Sequence, residues 1–396
     1  MKVNWEDVLL IGIDGGATEA KAHEVPVSGS WRNPKFQLGS HSASRKYKML
    51  PDFKPVDVLQ QIKERNENAT RLTDEEKEQG RAYILSTAEA VKEIAGSIGK
   101  KRVLIGMGMP GLKTEDGRGI NAINYGARTP DFLDQLEHAL QDAGIELLAP
   151  VARLGSDADY CGIGEDKAAD GQFRRVQDAY YLGGGTGIAD AMKLNGELVP
   201  FDHTKDWLQK AWQIPCFYGP TFEKFVSAKS MNEAFAHLEK STLSDYVAKG
   251  KFAQVEALKG NPRAKLVMDV LAYLLAELLF ERMYTLYAGR EDAKYRGAGY
   301  LALKTDHPYR GKFFQRLVIG QRIGNIYADK EYRKILRSPL HTHLATMLQE
   351  FAPEKMQEAY LKNGRIRTGL IVPSKLREAP AIGAAIDAAQ ALKKKR

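Results

Sequence analysis

The sequence predicts a mixed α/β protein whose two halves start alike. Near the N-terminus the apolar run VLLIGI breaks into the polar, glycine-containing stretch DGGATEAK. Midway, the run YYL breaks into GGGTG and then the hairpin sequence IADAMKLNGEL. Around these turns, short apolar runs alternate with segments whose apolar residues recur every three to four positions, the helical period. Strands and helices alternating in this way build helical layers on a sheet.

Each element follows from its local pattern. Residues 8–14 read as a buried strand, 21–27 as a short mixed strand and 35–44 as a loosely alternating one, together an antiparallel meander. From 55 to 100 the period is helical. Val56, Leu59 and Ile62 mark one amphipathic segment, and Tyr83, Ile84, Ala88, Val91, Ile94 and Ile98 the next. Residues 102–109 form a buried strand closed by Pro110-Gly111. A helix over 131–143 carries Phe132, Leu133, Leu136 and Leu140 on its apolar face and stops at Gly144. Residues 151–154 lead into GSDADYCGIGE, a strand opening into a helix.

The second half repeats the plan with a strand over 178–182, its glycine turn, and a hairpin tipped by Asn195-Gly196. A mostly helical stretch follows over 206–289. Its segment VMDVLAYLLAELLFERMYTLYAG reads as a core helix, since Asp269, Glu277, Glu281 and Arg282 interrupt the apolar run. Strands are expected again at 316–320 and 367–372, with a closing helix from Pro380. The apolar helices of this half allow a homodimer.

Bulk composition removes several function classes. With 396 residues, 43% hydrophobic and 27% charged, the chain is an ordinary globular one of two or three domains. Its two cysteines, Cys161 and Cys216, are far apart, which argues against a disulfide scaffold or a zinc cluster. No run approaches the roughly 18 apolar residues of a membrane span. The opening MKVNWEDVLL lacks a signal peptide's build, so a cytoplasmic protein is expected. The net charge of +8 raises nucleic-acid binding, but the charges are scattered and no DNA-reading motif is present. The dense LKKKR at the end reads as a helix terminus whose cations complement the dipole. A mild positive balance also suits an enzyme that takes an anionic nucleotide.

Four stretches carry candidate chemistry. In IGIDGGATEAK, Asp14 stands at a strand end beside Gly15, Gly16 and Thr18. Backbone N–H groups and a hydroxyl in such a turn can cup phosphate oxygens, and the acid can hold hydrated Mg2+. The pattern is neither GxxxxGK[ST] nor GxGxxG, and a plain hairpin turn accounts for it equally well. The second turn, LGGGTG, offers Gly183, Gly184, Gly185, Thr186 and Gly187 as an anion nest. Two such turns can clamp one polyphosphate from both sides. In LGSDADYCGIGE, Asp157 lies between a strand end and a helix. A carboxylate there can take the proton of a hydroxyl attacking a γ-phosphate, while Ser156 or Asp157 can instead cap the helix. In IGMGMPGLKTEDGRGINAINYG, Pro110 and Gly111 turn the chain, and Asn121 and Asn124 can contact a polyol.

The order of these motifs resembles the actin-like ATPase and sugar kinase superfamily, and within it the ROK sugar kinases. IDGGATEAK resembles the first phosphate turn, with Ala17 as an extra residue before Thr18. IGMGMPG, GRGINAINYG and SDADYCGIGE together resemble the sugar-side run that ends in the catalytic aspartate. GGGTGIADAMKLNGEL resembles the second phosphate turn, LVIGQRIG the adenosine-holding strand–turn–helix, and LREAPAIGAAIDAA the closing helix. The match is good over residues 8–200 and patchy beyond. The resemblance implies two ribonuclease-H-like domains, 1–170 with 380–396 and 171–379, around a cleft for ATP, Mg2+ and a small-molecule sugar. It assigns Asp157 as general base and Asp14 to the metal. Gly15, Gly16, Thr18 and Lys21, with Gly184, Gly185, Thr186 and Gly187, fall to the phosphates. Gly320 and Gly324 border adenosine, and Pro110, Gly111, Asn121 and Asn124 join Asp157 on the sugar.

The chain also departs from that pattern. Ser156 replaces the usual Asn before the catalytic Asp, and Gln321 stands where the adenosine turn usually has glycine. The stretch GELVPFDHTKDW keeps a lone histidine, His203, where the family has Glu and His and often a zinc site. The DGGxT spacing is shared with N-acetylglucosamine kinases and dehydratase-activating ATPases. No DNA-binding head precedes Val8, so the repressor branch is not expected. An ATPase switch and a non-catalytic sugar sensor remain as alternatives to a kinase.

Overall fold

The computed structural model describes residues 4–394 except 17, 31, 32, 52 and 125. The chain forms two compact units, Met1–Gly171 with Glu378–Arg396, and Gln172–Arg377.

In the first unit, β1 (Leu9–Gly15) hairpins into β2 (Glu19–Glu24), a side hairpin pairs β3 (Val27–Gly29) with β4 (Pro34–Phe36), and β5 (Ser42–Lys46) returns beside β2. Helices α1 (Val58–Asn66) and α2 (Asp74–Ile98) follow. Next come β6 (Arg102–Gly108), the small hairpin of β7 (Leu112–Lys113) and β8 (Ile120–Ala122), α3 (Phe132–Asp142), β9 (Glu146–Leu147), β10 (Leu154–Gly155) and α4 (Asp157–Lys167). The main path through the sheet runs β10-β6-β1-β2-β5, with β1, β6 and β10 parallel. Apolar alternation drives β1 and β6 into a core with Val91 and Ile94 of α2 and Leu133 and Leu136 of α3. A capping box at Thr73 and Glu76 starts α2, and left-handed Gly99 ends it.

The second unit repeats the order. β11 (Ala179–Gly184) hairpins into β12 (Ile188–Leu194), which pairs with β13 (Glu197–Leu198). Helices α5 (Ala228–Leu238), α6 (Leu243–Ala248), α7 (Ala253–Leu258), α8 (Pro262–Ala288) and α9 (Gly297–Leu301) precede β14 (Arg316–Gly320) and α10 (Gln321–Ala328). Then come α11 (Arg337–Phe351), α12 (Glu354–Tyr360), the hairpin of β15 (Leu361–Lys362) and β16 (Arg365–Ile366), and β17 (Ile371–Pro373). The last helix, α13 (Ala379–Lys394), belongs to the first unit. The second sheet runs β13-β12-β11-β14-β17. Number the strands of either sheet by their order along its path's chain, and both read 3-2-1-4-5, with a meander on one side and parallel strands on the other.

Several expectations need correction. The strand expected over 35–44 is two pieces: the Gly39 N–H turns back to Glu24 O at 2.8 Å, so β4 leaves with β3 and only β5 joins the sheet. Leu59 does not face a core but is 73% exposed; Gln61 is the buried side chain of α1. The stretch 206–289 breaks into short helices at Pro215, Gly219-Pro220, Gly250 and Gly260, where proline and positive-φ glycine stop each turn. Its last part, α8, is the expected core helix. Glu281 and Arg282 pair at 3.0 Å, Arg296 reaches Glu277 at 3.4 Å, and only Asp269 turns outward, toward His343. Left-handed Gly369 delays the final strand to Ile371–Pro373.

Candidate active site

In the first unit, three parallel strands end in one row. Asp14 of β1 pairs with Gly108 of β6, and Gly108 with Gly155 of β10. At about 4.8 Å per strand the row spans roughly 10 Å. Two residues past its end, α4 begins at Asp157. The region outside the carboxyl ends of parallel strands is where open α/β sheets bind ligands.

The two acids of this row feel each other. The Asp14 carboxyl is pushed up to about 6, first by burial and then by the charge of Asp157, with Glu378 and Glu19 adding to the push. Lys21, directly opposite Asp14 on β2, pulls it back down and also pairs with Glu19 at 3.2 Å. Asp157 is exposed, and its Oδ1 accepts the N–H of Ala158 at 2.9 Å. Ser156 takes the N-cap position, but its side chain makes no capping bond. One Asp157 oxygen thus holds a first-turn N–H of α4, while the exposed carboxylate still faces solvent.

The glycines of the first turn have different reasons. A side chain at Gly15 would collide with the Met109 sulfur and come within 2.8 Å of Gly108 O, so packing alone requires glycine there. At Gly16 a methyl group would touch only Glu19 O at 3.4 Å, and its φ is not left-handed. Neither space nor conformation explains that glycine. The Gly16 N–H closes the hairpin on Glu19 O at 2.9 Å, and Thr18, which is exposed, holds the Tyr47 N–H on its carbonyl at 2.8 Å. Ala17, the residue that gives the DGGxT spacing, lies outside the described residues.

The expected sugar-side residues share one loop system. Met109 N donates to Gly155 O at 3.2 Å, which ties the exit of β6 to the strand before Asp157. Pro110 and Gly111 follow; Gly111 has φ +93° and lies against Ala122 O, a close approach only glycine tolerates. Asn121 and Asn124 flank Ile123, whose backbone is clamped by Gln61. The Gln61 carboxamide accepts the Ile123 N–H at 2.8 Å and donates to Ile123 O at 3.1 Å. Arg128 anchors the far side by a bidentate pair with Glu76 at 2.8 and 2.6 Å. Asn121 lines an open concavity with Arg65, Asn66, Asn68, Thr70 and Glu115, and Asn124 is exposed.

In the second unit, β11 ends beside β14 with Gly183 opposite Gly320. The Gly185 N–H donates to Gly187 O at 2.9 Å, which leaves Thr186 exposed at the tip. Side chains from elsewhere lean on this turn. A methyl group at Gly184 would meet Ile323 at 2.5 Å, one at Gly185 the Gln321 carboxamide at 2.6 Å, and one at Gly187 the Glu223 carboxylate at 2.5 Å. Gly320 is pressed by the Tyr181 ring, and Gly324 of α10 by Ile319 O of β14, so packing explains both. Gln321 has φ +55°, a conformation that costs a residue with a Cβ roughly 1–2 kcal/mol.

Sequence reasoning missed Glu223, Gln61 and Glu378. Their only signal is position in space, because all three come from segments remote in the chain. His203 is exposed and borders a concavity with Trp207 and His307. Cys161 and Cys216 are buried, and neither is in a disulfide. Among the described residues, no three His, Cys, Asp or Glu side chains gather as a metal cage, and no helix is long and apolar enough to cross a membrane.

No family model matches the chain, and no curated sequence is similar to it. Solved structures are similar to it throughout. A ROK family glucokinase from Streptomyces griseus, in complex with glucose and AMPPNP, has a TM-score of 0.56 at 14% identity and covers 96% of this chain and 99% of its own. The ROK hexokinase from Thermus thermophilus has a TM-score of 0.50 at 14% identity, covering 98% and 99%. A ROK family transcriptional regulator, a homolog of the E. coli MLC protein, has a TM-score of 0.56 at 12% identity, covering 98% of this chain and 80% of its own. At such identities the likeness defines the fold. The protein has the two-domain actin-like ATPase fold, with ribonuclease-H-like halves, that ROK sugar kinases share.

Proposed function

We propose that the protein is a ROK-type carbohydrate kinase that transfers the γ-phosphoryl group of ATP to a hydroxyl of a sugar or sugar derivative. One observation carries the reading: Asp14 ends β1 and Asp157 follows β10, parallel strands on either side of β6, and the charge of Asp157 raises the Asp14 pKa. A carboxylate pair of this kind divides into a metal-side acid and a base.

Asp157, exposed to solvent, takes the proton of the attacking hydroxyl. The hydroxyl oxygen bonds to the γ-phosphorus as the bridging P–O bond breaks, and ADP leaves. Gly15, Gly16, Thr18 and Lys21 of the first turn, and residues 184–187 of the second, supply phosphate contacts. Pro110, Gly111, Asn121 and Asn124 orient the sugar. Gly320 and Gly324, at the β14–α10 junction, border adenosine.

Asp14 suits Mg2+ held through water. It is a single acid, and its ionised form is disfavoured by burial and by Asp157, a penalty that a nearby cation removes. When bound, Mg2+ neutralises charge on the phosphate chain. A cytoplasmic setting goes with this reading, since ATP and free sugars meet there.

A panel of sugars read by both ADP release and thermal shift tests the proposal. Sugar-dependent ADP release supports it. A thermal shift without ADP release favours the second reading, a non-catalytic sugar sensor. That alternative draws on the transcriptional regulator, whose TM-score equals the glucokinase's.

A further inference from the structure

The residue after β14 is the least expected feature of the second unit. Gln321 holds a left-handed φ of +55° although it carries a side chain, and it opens α10 directly after Gly320. Its backbone follows Gly320, which pairs with Gly183. That register brings the side chain back over the second glycine turn. Methyl groups built at Gly183 and Gly185 would lie 3.0 and 2.6 Å from the Gln321 carboxamide. The carboxamide therefore covers the start of the GGGTG turn. It is half-buried, and among the described residues no hydrogen bond to protein holds it.

Resting on the kinase reading, we propose that Gln321 is a phosphate-side specificity residue, whose carboxamide N–H donates to the phosphate chain of the nucleotide. The physical reasons are three. A neutral side chain with two N–H donors can lie against an anion without charge repulsion. The left-handed backbone aims it over Gly183 and Gly185, away from the rest of α10. The carboxamide takes the space that side chains at Gly183 and Gly185 would fill, so the glycines let it lie directly against the turn. A purely packing role does not account for a strained backbone at a half-exposed residue.

Three ligands, ATP with Mg2+, ADP with Mg2+, and adenosine, titrated calorimetrically into wild type, Gln321→Gly and Gln321→Glu, test this. Gln321→Gly relieves the backbone and is expected to fold at least as well as wild type; Gln321→Glu keeps the size. The proposal predicts about tenfold weaker ATP binding by Gln321→Gly, the loss of one hydrogen bond to a charged acceptor. Gln321→Glu should lose more, because a carboxylate faces the phosphates. Adenosine affinity should stay within about twofold of wild type in both. Equal losses for ATP and adenosine would overturn the proposal, since the contact would then be to the nucleoside. Unchanged ATP affinity in both variants would overturn it as well. Failure of wild type to bind ATP at all would instead overturn the kinase reading, and this inference with it.

Discussion

The two glycine turns occupy the same place in two sheets of the same strand order, yet they are built differently. The first carries its acid within the strand: Asp14 is the last residue but one of β1, largely buried, and in electrostatic contact with Asp157. Of its two glycines, Gly15 is fixed by packing and Gly16 is not. The second turn has no acid of its own. Its surroundings are set by side chains that arrive from β14–α10 and from residue 223, and Gly184, Gly185 and Gly187 are each pressed by one of them. A repeated topology thus fixes where a turn stands, and the residues leaning on it fix its chemistry.

The largest effect that sharpens this contrast is electrostatic. The folded Asp14 pKa of about 6 lies above the ordinary 3.8. The folded state therefore binds the proton more tightly, and the contribution of Asp14 to stability falls as pH rises from about 4 to about 6, then stays low. The difference corresponds to at most about 3 kcal/mol above pH 6. Asp14→Asn should consequently raise the Tm at pH 8, leave it nearly unchanged at pH 4, and abolish Mg2+-dependent turnover. A mutant whose Tm tracks wild type at both pH values would show that the charge is not confined.

Next in size is steric. Gly15→Ala forces a methyl group against Met109 and a backbone carbonyl, which should destabilise the first unit by about 1–3 kcal/mol. Chemical denaturation measures this directly, and a loss below about 0.5 kcal/mol would remove packing as the reason for Gly15.

The smallest stability effects are expected at Gly16→Ala and Gly187→Ala, within about 0.5–1 kcal/mol. Gly16 has room, and Gly187 meets only the movable end of Glu223. If these glycines serve phosphates, both variants should nonetheless weaken ATP binding measurably. Full ATP affinity in the pair would mean that the turns are only turns.

Legibility in the sequence followed the range of the interaction. The parallel strands and both hairpin turns were legible because burial and turn chemistry are local. The two halves' common beginning was visible as a repeated apolar run and glycine turn, and both sheets share it. The side hairpin of β3 and β4 was not legible, since it depends on Gly39 folding back to Glu24 fifteen residues earlier. Leu59 read as core because periodicity marks a face without saying whether anything covers it. Asp14 and Asp157 were each legible as acids at strand ends. Their mutual influence was not, because the parallel pairing through Gly108 and Gly155 joins residues more than a hundred positions apart. Glu223, Glu378 and the reach of Gln321 over the second turn are likewise products of tertiary packing.

The central claim is that Asp157 serves as general base in ATP-dependent phosphorylation of a sugar hydroxyl. The direct measurement is ADP release by wild type and Asp157→Asn with the most active sugar of a panel, alongside ATP affinity. Because the carboxylate is exposed, the variant should fold normally. The account predicts that Asp157→Asn binds ATP like wild type but turns over about 10²–10⁴-fold more slowly. Turnover near the wild-type rate in that variant would contradict it.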